Sequence, residues 1–331
     1  MYENLCKPLN VEKEIKLFSG TGNPELSKRV AEILHLELQG LHLEKFANGE
    51  TYARFVESVR GDEVFFIQTL AGPNVNDLLM ETLIVADAAT RASADNFTVV
   101  IPHYGYARQD RKAAPREPIT ARLVANLLEA AGVDRVITLD LHSNQIQGFF
   151  DIPVTHLTAL YLFGDYFKEK DFDWENTVVV SPDMGRAKVA KKLSDYLGCE
   201  VAIAHKSRPK HNAAEVMGII GNIKGKTCII NDDMIDTAGT LVGSINKLKE
   251  MGAGDIYISA THGIFSGQAI ERIEGAPIVE CVVSDAIPCA VANQPGSKIK
   301  TVSVAQELAD AIYAVYVNTP VSGVFGGNSE M

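Results

Sequence analysis

The chain has 331 residues, with 31 Lys and Arg against 42 Asp and Glu, so its formal net charge is −11. At roughly 150 residues per domain the length predicts two domains, and 46% hydrophobic with 22% charged residues excludes a disordered chain. The acidic balance argues against a nucleic-acid partner, and no apolar run approaches the ~18 residues of a membrane span.

The cysteines and the N-terminus bear on the compartment. The cysteines are odd in number, far apart and form no C-x-x-C pair: Cys6, Cys199, Cys228, Cys281 and Cys289. This pattern favours a reducing environment over a disulfide framework or a zinc site. The first residues lack the apolar core of a signal peptide. We therefore expect a cytoplasmic protein with no membrane partner.

Short apolar runs alternate with longer helical patterns, which predicts parallel sheets with crossover helices. The first unit is a strand at 15–19, a turn at 20–22, and a helix capped by Asn23 with Pro24 at its first position. Further strands are predicted at 64–68, 97–102, 135–141, 177–181, 200–205, 227–231, 255–261 and 278–283. Further helices are predicted at 76–91, 119–131, 185–197, 238–251 and 303–316. The least structured stretch is expected at 151–176, with a domain boundary near 155–160.

Asp140-Leu-His142 ends the predicted strand at 135–141. Residues two apart on a strand face the same side, so this carboxylate and imidazole emerge together at the strand's carboxyl end. On its own, such a histidine is more often a hydrogen-bonded structural residue than a ligand.

Two cationic segments stand out in an acidic chain. The cationic loop, residues 103–118, has Tyr104 and Tyr106 and carries four cations: Arg108, Arg111, Lys112 and Arg116. Arginine pairs with phosphate and stacks on nucleobases, although a solvated charge run explains the loop equally well. Lys206 and Arg208 lie two apart and can meet one anion, as phosphoryl transfer requires, but a surface basic loop is the simpler interpretation of their spacing.

The strongest signal is the segment N-D-D-M-I-D-T-A-G-T at 231–240, between an apolar strand and a helix. A loop of small residues at such a junction directs backbone N–H groups, hydroxyls and the positive end of a helix at one point, which suits a phosphate. Asp232 and Asp233 suit sugar hydroxyls or hydrated Mg²⁺ instead. A helix cap needs one Asp or Thr, whereas residues 232–240 hold three Asp and two Thr. An anion site is therefore favoured over a simple cap.

The segment at 232–240 resembles the phosphoribosyl pyrophosphate motif of the phosphoribosyltransferase fold. From about Ile15 to about Phe325 the chain resembles the ribose-phosphate pyrophosphokinase family. Other matching segments are S-G-T-G-N-P-E-L at 19–26, F-A-N-G-E at 46–50, N-D-L-L-M-E at 76–81, Y-A-R-Q-D-R-K at 106–112, D-L-H-S-N-Q-I-Q-G-F-F at 140–150, S-P-D at 181–183 and A-T-H-G-I-F-S-G at 260–267. The order of so many motifs makes a chance resemblance negligible.

The resemblance implies an α/β fold of two similar phosphoribosyltransferase-type (type I) domains with parallel sheets flanked by helices. The ATP-side domain is expected at 14–157 and the ribose 5-phosphate-side domain at 158–302, with the tail 303–331 packing back on the first. The implied reaction transfers the diphosphoryl group of MgATP to the C1 hydroxyl of ribose 5-phosphate, releasing AMP. The implied cofactor is Mg²⁺, and the implied assembly is a homo-oligomer of dimers forming a hexamer.

The resemblance also assigns roles to residues of this chain. Catalytic residues are Lys206 and Arg208, and the implied metal contacts are His142 and Asp183. ATP is assigned to Asn48, Gly49, Glu50, Arg108 and Gln109. Ribose 5-phosphate is assigned to Arg208, Asp232, Asp236, Thr237, Ala238, Gly239 and Thr240.

Some positions depart from the family pattern. Asn48 stands where many members have Asp, and Ser207 interrupts a Lys-Arg-Arg run. A Gly-Gly pair after Ser-Pro-Asp is here Gly185-Arg186, and the Arg that usually follows is Val189. If the second glycine needs a positive φ, Arg186 strains this turn, so we expect a reshaped loop in which Arg186 restores the lost cation from a different backbone position.

Two alternatives remain from the sequence. A phosphoribosyltransferase consumes phosphoribosyl pyrophosphate, and the segment 232–240 alone does not exclude it. The second alternative is a non-catalytic regulatory subunit associated with the synthetase, which the changes at 184–190 favour weakly. The length and the segments around Arg108 and Lys206 argue against the first, and the intact Lys206, Arg208 and His142 against the second.

Overall fold

The computed structural model describes residues 13–207 and 216–321, in which helices alternate with strands. The strands are β1 (Ile15–Ser19), β2 (Leu41–Lys45), β3 (Thr51–Phe55), β4 (Glu63–Ile67), β5 (Asn96–Ile101), β6 (Arg135–Leu139), β7 (Val154–Leu157), β8 (Thr177–Ser181), β9 (Glu200–Ser207), β10 (Val216–Ile220), β11 (Thr227–Ile235), β12 (Ile256–Gly263), β13 (Glu280–Ser284) and β14 (Ile299–Val302). The α-helices are α1 (Pro24–Ile33), α2 (Val75–Arg91), α3 (Thr120–Ala130), α4 (Leu160–Lys168), α5 (Ala187–Leu197), α6 (Gly239–Glu250), α7 (Ala269–Gly275) and α8 (Ala305–Tyr316).

The strands form two main sheets, one in each half of the chain. The first has the order β1-β4-β5-β6-β7 with every pair parallel, and β2 and β3 form a separate antiparallel hairpin. The second has the order β10-β9-β8-β11-β12-β13-β14 and is parallel except for β10 at its edge. Its strand β8 is buried along its whole length, as expected for a parallel sheet covered on both faces. The predicted fold class is confirmed.

One hydrophobic cluster joins the two halves. It contains Leu17 and Phe65 from the first sheet, Val179 and Val282 from the second, and Phe163 from α4, each no more than 1% exposed. Helix α1 packs against α8, and α4 packs against α5. The halves therefore share apolar surface, which fixes the spacing between the two sheets.

The expectation that 151–176 is the least structured stretch is wrong. It contains β7, α4 and a short 3₁₀ turn at Trp174–Asn176. Leu160, Phe163 and Phe167 recur at helical spacing, and all three are buried in the shared cluster. Over so few residues, the helical periodicity of the apolar positions is not distinguishable from the pattern of a strand or a loop.

The other predicted elements are present with ends shifted by a few residues, and several more were missed: β2, β3, β7, β10, β14, α4 and α7. Strand β11 extends to Ile235, so Asp232 and Asp233 lie in the strand and the loop before α6 is shorter than predicted. Helix α8 packs against α1, and residues 322–331 of the tail, including Val324, lie outside the described part.

We propose the domain division 14–157 and 158–302, because the two main sheets take their strands from 15–157 and from 177–302 respectively. Within residues 13–207 and 216–321, no helix is long and apolar enough to cross a membrane.

Candidate functional site

The two sheets meet at a polar junction formed by Asp140, His142, Asp233, Thr261 and His262. Oδ2 of Asp140, just after β6, accepts a hydrogen bond from Oγ1 of Thr261 on β12 at 2.6 Å. Nδ1 of His142 donates to Oδ2 of Asp233 on β11, also at 2.6 Å. Because side chains at the carboxyl ends of parallel strands gather at one sheet edge, these contacts bring the carboxyl edges of the two sheets together.

Buried histidines form the centre of this junction. Nε2 of His262 lies 3.1 Å from the carbonyl oxygens of both Leu139 and Asp140, and its ring lies 4.5 Å from that of His103. Burial lowers the pKa of both His103 and His262, so both rings are neutral at pH 7. His262 therefore connects the second sheet to the main chain of the first without placing a charge in the interior.

Asp232 and Asp233, the acidic pair, lie between the guanidinium of Arg186 and the imidazole of His142. Arg186 reaches Asp232 (Nε to Oδ1, 3.4 Å) and Asp233 (Nη1 to Oδ1, 3.6 Å), and His142 bonds Asp233 from the other half. Burial raises the pKa of Asp232, and the charge of Arg186 opposes that rise. Burial acts in the same direction on Asp233, but its hydrogen bonds with His142 and Asp232 and the charge of Arg186 together outweigh burial and hold its pKa below the usual range. Asp233 is therefore the more acidic member of the pair.

The loop after β11 presents unoccupied backbone donors. Helix α6 begins at Gly239 with Ala238 as its cap residue, and no side chain caps the helix. The first N–H groups of a helix lack partners within the helix, so those of α6 are available to an anion. Ala238 has φ +58°, a left-handed conformation that costs a non-glycine residue on the order of 1 kcal/mol and is typical of functional loops.

Two further contacts support this loop. Nη1 of Arg272 on α7 donates to the Thr237 carbonyl at 2.7 Å, and the Ser266 amide donates to the Asp236 carbonyl at 3.0 Å. Sequence reasoning missed Arg272, since α7 was not predicted and no local pattern links it to a loop 35 positions away.

The residues assigned to ATP lie in two places. Nη1 of Arg108 donates to Oδ2 of Asp236 at 2.5 Å, so the cationic loop reaches the 236–240 loop of the other half. Gln109 follows in the same loop and accepts a hydrogen bond from Thr120. Asn48, Gly49 and Glu50 form the exposed turn between β2 and β3, in which Asn48 accepts a hydrogen bond from the Glu50 amide.

The segment with the altered glycine pair is not strained. Arg186 has φ −96°, which any residue adopts, and its amide donates to Oδ1 of the exposed Asp183 at 3.0 Å. The expected strain is therefore absent, whereas the expected cation is present and points at the acidic pair. Lys206 lies in β9, where its backbone pairs with Met217, and Arg208 lies outside the described residues.

The described parts of the chain do not form a protein-only metal cage. Within residues 13–207 and 216–321, no group of three or more His, Cys, Asp or Glu side chains is arranged to hold a metal ion. Of the two predicted contacts, His142 is engaged with Asp233, while the Asp183 carboxylate is exposed. This set fits an ion that brings most of its ligands with it, as Mg²⁺ does when it is bound to phosphates and water.

Comparisons with known proteins agree along nearly the whole chain. A family model described as the N-terminal domain of ribose phosphate pyrophosphokinase matches residues 15–132, and one described as the phosphoribosyl synthetase-associated domain matches 206–326. The chain is 49% identical over 311 residues to a ribose-phosphate pyrophosphokinase of Fusobacterium nucleatum, covering 94% of this chain and 98% of that protein. It is 50% identical over 314 residues to one of Bacillus caldolyticus, covering 95% and 98%.

A solved structure is similar as well. The phosphoribosylpyrophosphate synthetase of Mycobacterium smegmatis aligns with a TM-score of 0.86 at 45% identity, covering 92% of this chain and all of that chain.

The hydrogen bond between His142 and Asp233 predicts a change in the titration of His142. The hydrogen bond to Asp233 raises the pKa of His142 above its ordinary 6.5. Histidine NMR should therefore show His142 titrating above 6.5, and Asp233→Asn should lower that pKa. The stability that the bond contributes is present below pH 6.5 and is lost as the pH rises through the raised value.

The matched control is Asp171→Asn, which removes an exposed carboxylate with the same change in charge. The contact is refuted if Asp233→Asn shifts the His142 titration no more than the control does.

Proposed function

The chain belongs to the ribose-phosphate pyrophosphokinase family, and we propose that it performs the family's reaction at the junction between its two sheets. The reaction transfers the diphosphoryl group of ATP to the C1 hydroxyl of ribose 5-phosphate and yields 5-phosphoribosyl 1-pyrophosphate and AMP, for nucleotide biosynthesis. The location rests on the uncapped start of α6, which follows the strand that carries the acidic pair, and on the hydrogen bond between Asp233 of that pair and His142 of the other half.

Ribose 5-phosphate is proposed to bind at the 236–240 loop. The N–H groups at the start of α6 and the hydroxyls of Thr237 and Thr240 receive its phosphate, because a helix N-terminus is an anion site. Asp236 and Asp232 lie on the sugar side, where carboxylates accept hydrogen bonds from vicinal hydroxyls. Arg208 is proposed to meet the phosphate or the developing charge. The left-handed backbone conformation of Ala238 is typical of loops that bind a ligand.

ATP is proposed to bind on the side of the first sheet. Arg108 contacts the 236–240 loop and Gln109 follows it in the cationic loop, while Asn48, Gly49 and Glu50 are assigned to the adenine side. The Arg108 side chain is 58% exposed, so its ion pair with Asp236 is worth little and readily exchanges for phosphate. The net negative charge of the chain does not prevent ATP from binding, because the local positive potential of the cationic loop attracts the nucleotide.

Mg²⁺ is proposed to arrive with ATP and to be held by the Asp183 carboxylate, with His142 contacting it through water. The ion supplies charge neutralisation of the phosphates when it is bound. Asp183 is exposed and lies on the segment that also carries Arg186, beside the acidic pair. Because Mg²⁺ usually keeps several of its bound waters, the site needs few protein ligands.

The transfer itself is a displacement at phosphorus. The C1 oxygen forms a bond to the β-phosphorus, the bond from that phosphorus to the α–β bridging oxygen breaks, and AMP departs with that oxygen. The proton of the C1 hydroxyl is released. Lys206 and Arg208 are proposed to neutralise charge on the transferring oxygens, since such reactions are accelerated by positioning and electrostatic stabilisation.

Both alternatives are less well supported. Relatives that share about half of their residues with this chain over nearly its full length carry the name of the synthetase, which favours it over a phosphoribosyltransferase and over a non-catalytic subunit. We also propose a cytoplasmic location and a homo-oligomer in which dimers assemble to a hexamer, as the resemblance implies.

The direct test is an assay of the purified full-length protein with MgATP, with and without ribose 5-phosphate. The expected product is AMP in equal amount to 5-phosphoribosyl 1-pyrophosphate, formed only when the sugar phosphate is present. Equal AMP release with and without ribose 5-phosphate would contradict the proposed reaction.

The role of Lys206 is tested by Lys206→Ala. If its ammonium stabilises the transition state, kcat should fall about 100-fold or more while KM for ATP changes little. Lys224→Ala, which removes an exposed lysine from the same half, serves as the control and should retain activity. A change confined to KM would make Lys206 a binding residue instead.

A further inference from the structure

Arg186 connects helix α5 to the acidic pair. It is the residue just before α5, and its side chain is only 19% exposed. Its guanidinium lies 3.4 Å from Oδ1 of Asp232 and 3.6 Å from Oδ1 of Asp233, so one cation spans two carboxylates. Its Nε is buried and makes no hydrogen bond, which leaves charge as the basis of the contact.

Arg186 faces one oxygen of each carboxylate, Oδ1 of Asp232 and Oδ1 of Asp233. Oδ2 of Asp233 is already engaged by His142, and Oδ1 of Asp232 also accepts the Asp233 amide at 2.9 Å. Two neighbouring carboxylates with little solvent, at 25% and 6% side-chain exposure, require a counter-ion. Guanidinium and divalent metal therefore compete for the same two Oδ1 atoms.

We propose that Arg186 is the built-in counter-ion of the acidic pair, a positioning residue that takes the place of a divalent cation there. This rests on the proposed function in assigning Asp232 to the sugar of ribose 5-phosphate. With Arg186 in place, the sugar hydroxyls meet carboxylates whose charge and orientation are set by the protein itself. The acidic pair then does not recruit a divalent cation of its own.

The backbone at position 186 allows the side chain to be replaced without strain. Arg186 has φ −96° and ψ 4°, which glutamine and lysine also adopt, and its amide contact with Asp183 does not depend on the side chain. Arg186→Gln removes the charge at similar length, and Arg186→Lys keeps the charge. Lys188→Gln is the matched control, since it removes one positive charge from an exposed side chain in the first turn of the same helix.

The test is binding of Mn²⁺, as a paramagnetic probe, to the ATP-free full-length protein, followed by electron paramagnetic resonance. Arg186→Gln should bind one additional Mn²⁺ per chain about tenfold more tightly than the wild type, a difference that corresponds to ~1.4 kcal/mol. Arg186→Lys and Lys188→Gln should bind like the wild type. In the double variant Arg186→Gln with Asp232→Asn, the additional site should disappear.

Two results overturn the proposal. One is unchanged Mn²⁺ binding in Arg186→Gln, with the variant shown to be folded by circular dichroism. The other is tighter binding that survives the loss of Asp232, since the ion then lies elsewhere.

A second readout separates this proposal from the proposed function. At fixed MgATP, excess free Mg²⁺ should stimulate Arg186→Gln more than the wild type, and the KM for ribose 5-phosphate of the variant should respond to that excess. If the wild type lacks ribose 5-phosphate-dependent AMP release, the proposed function fails, whereas the Mn²⁺ titration still decides the role of Arg186.

Discussion

The rest of the structure depends on the polar connection between the end of β6 and the strands β11 and β12. Asp140 receives the Thr261 hydroxyl, and His262 reaches the main chain of residues 139 and 140 from the opposite sheet. Thr261 and His262 are buried and Asp140 is half-buried, so these hydrogen bonds have little competition from water and are costly to leave unmade. The connection fixes the edge that is proposed to face ATP against the edge that is proposed to face ribose 5-phosphate. Because phosphoryl transfer depends mainly on positioning, this alignment is the principal structural contribution of the fold.

The charges of the site follow from the same arrangement. The whole chain is acidic, yet the junction brings together Arg108, His142 and Arg186 around the acidic pair and Asp236. Cations from the first sheet and from α5 thus face carboxylates of β11 and its loop. This separation of charge suits the two proposed substrates. Cationic donors can bind the phosphates of the nucleotide, and carboxylates can accept hydrogen bonds from the hydroxyls of the sugar.

Much of the fold and part of the site could be predicted from local patterns. Buried parallel strands are continuous apolar runs, and the loop at 236–240 has a composition that indicates an anion site without any knowledge of its surroundings. The short edge strand β14 and the helix α4 were missed, since few residues carry their periodicity. The partner of His142 lies 91 positions away and that of Arg108 lies 128 away, so neither contact leaves a local trace. The direction of the Arg186 side chain likewise depends on the position of β11 relative to α5.

The central claim is that both substrates meet at this junction, and a crystal structure with α,β-methylene-ATP and ribose 5-phosphate tests it most directly. The sugar phosphate should lie on the N–H groups at the start of α6, with its C1 hydroxyl in line with the β-phosphorus of the nucleotide on the His142 side. Ribose 5-phosphate bound away from the 236–240 loop, or a nucleotide whose β-phosphorus lies out of reach of the C1 hydroxyl, would contradict it.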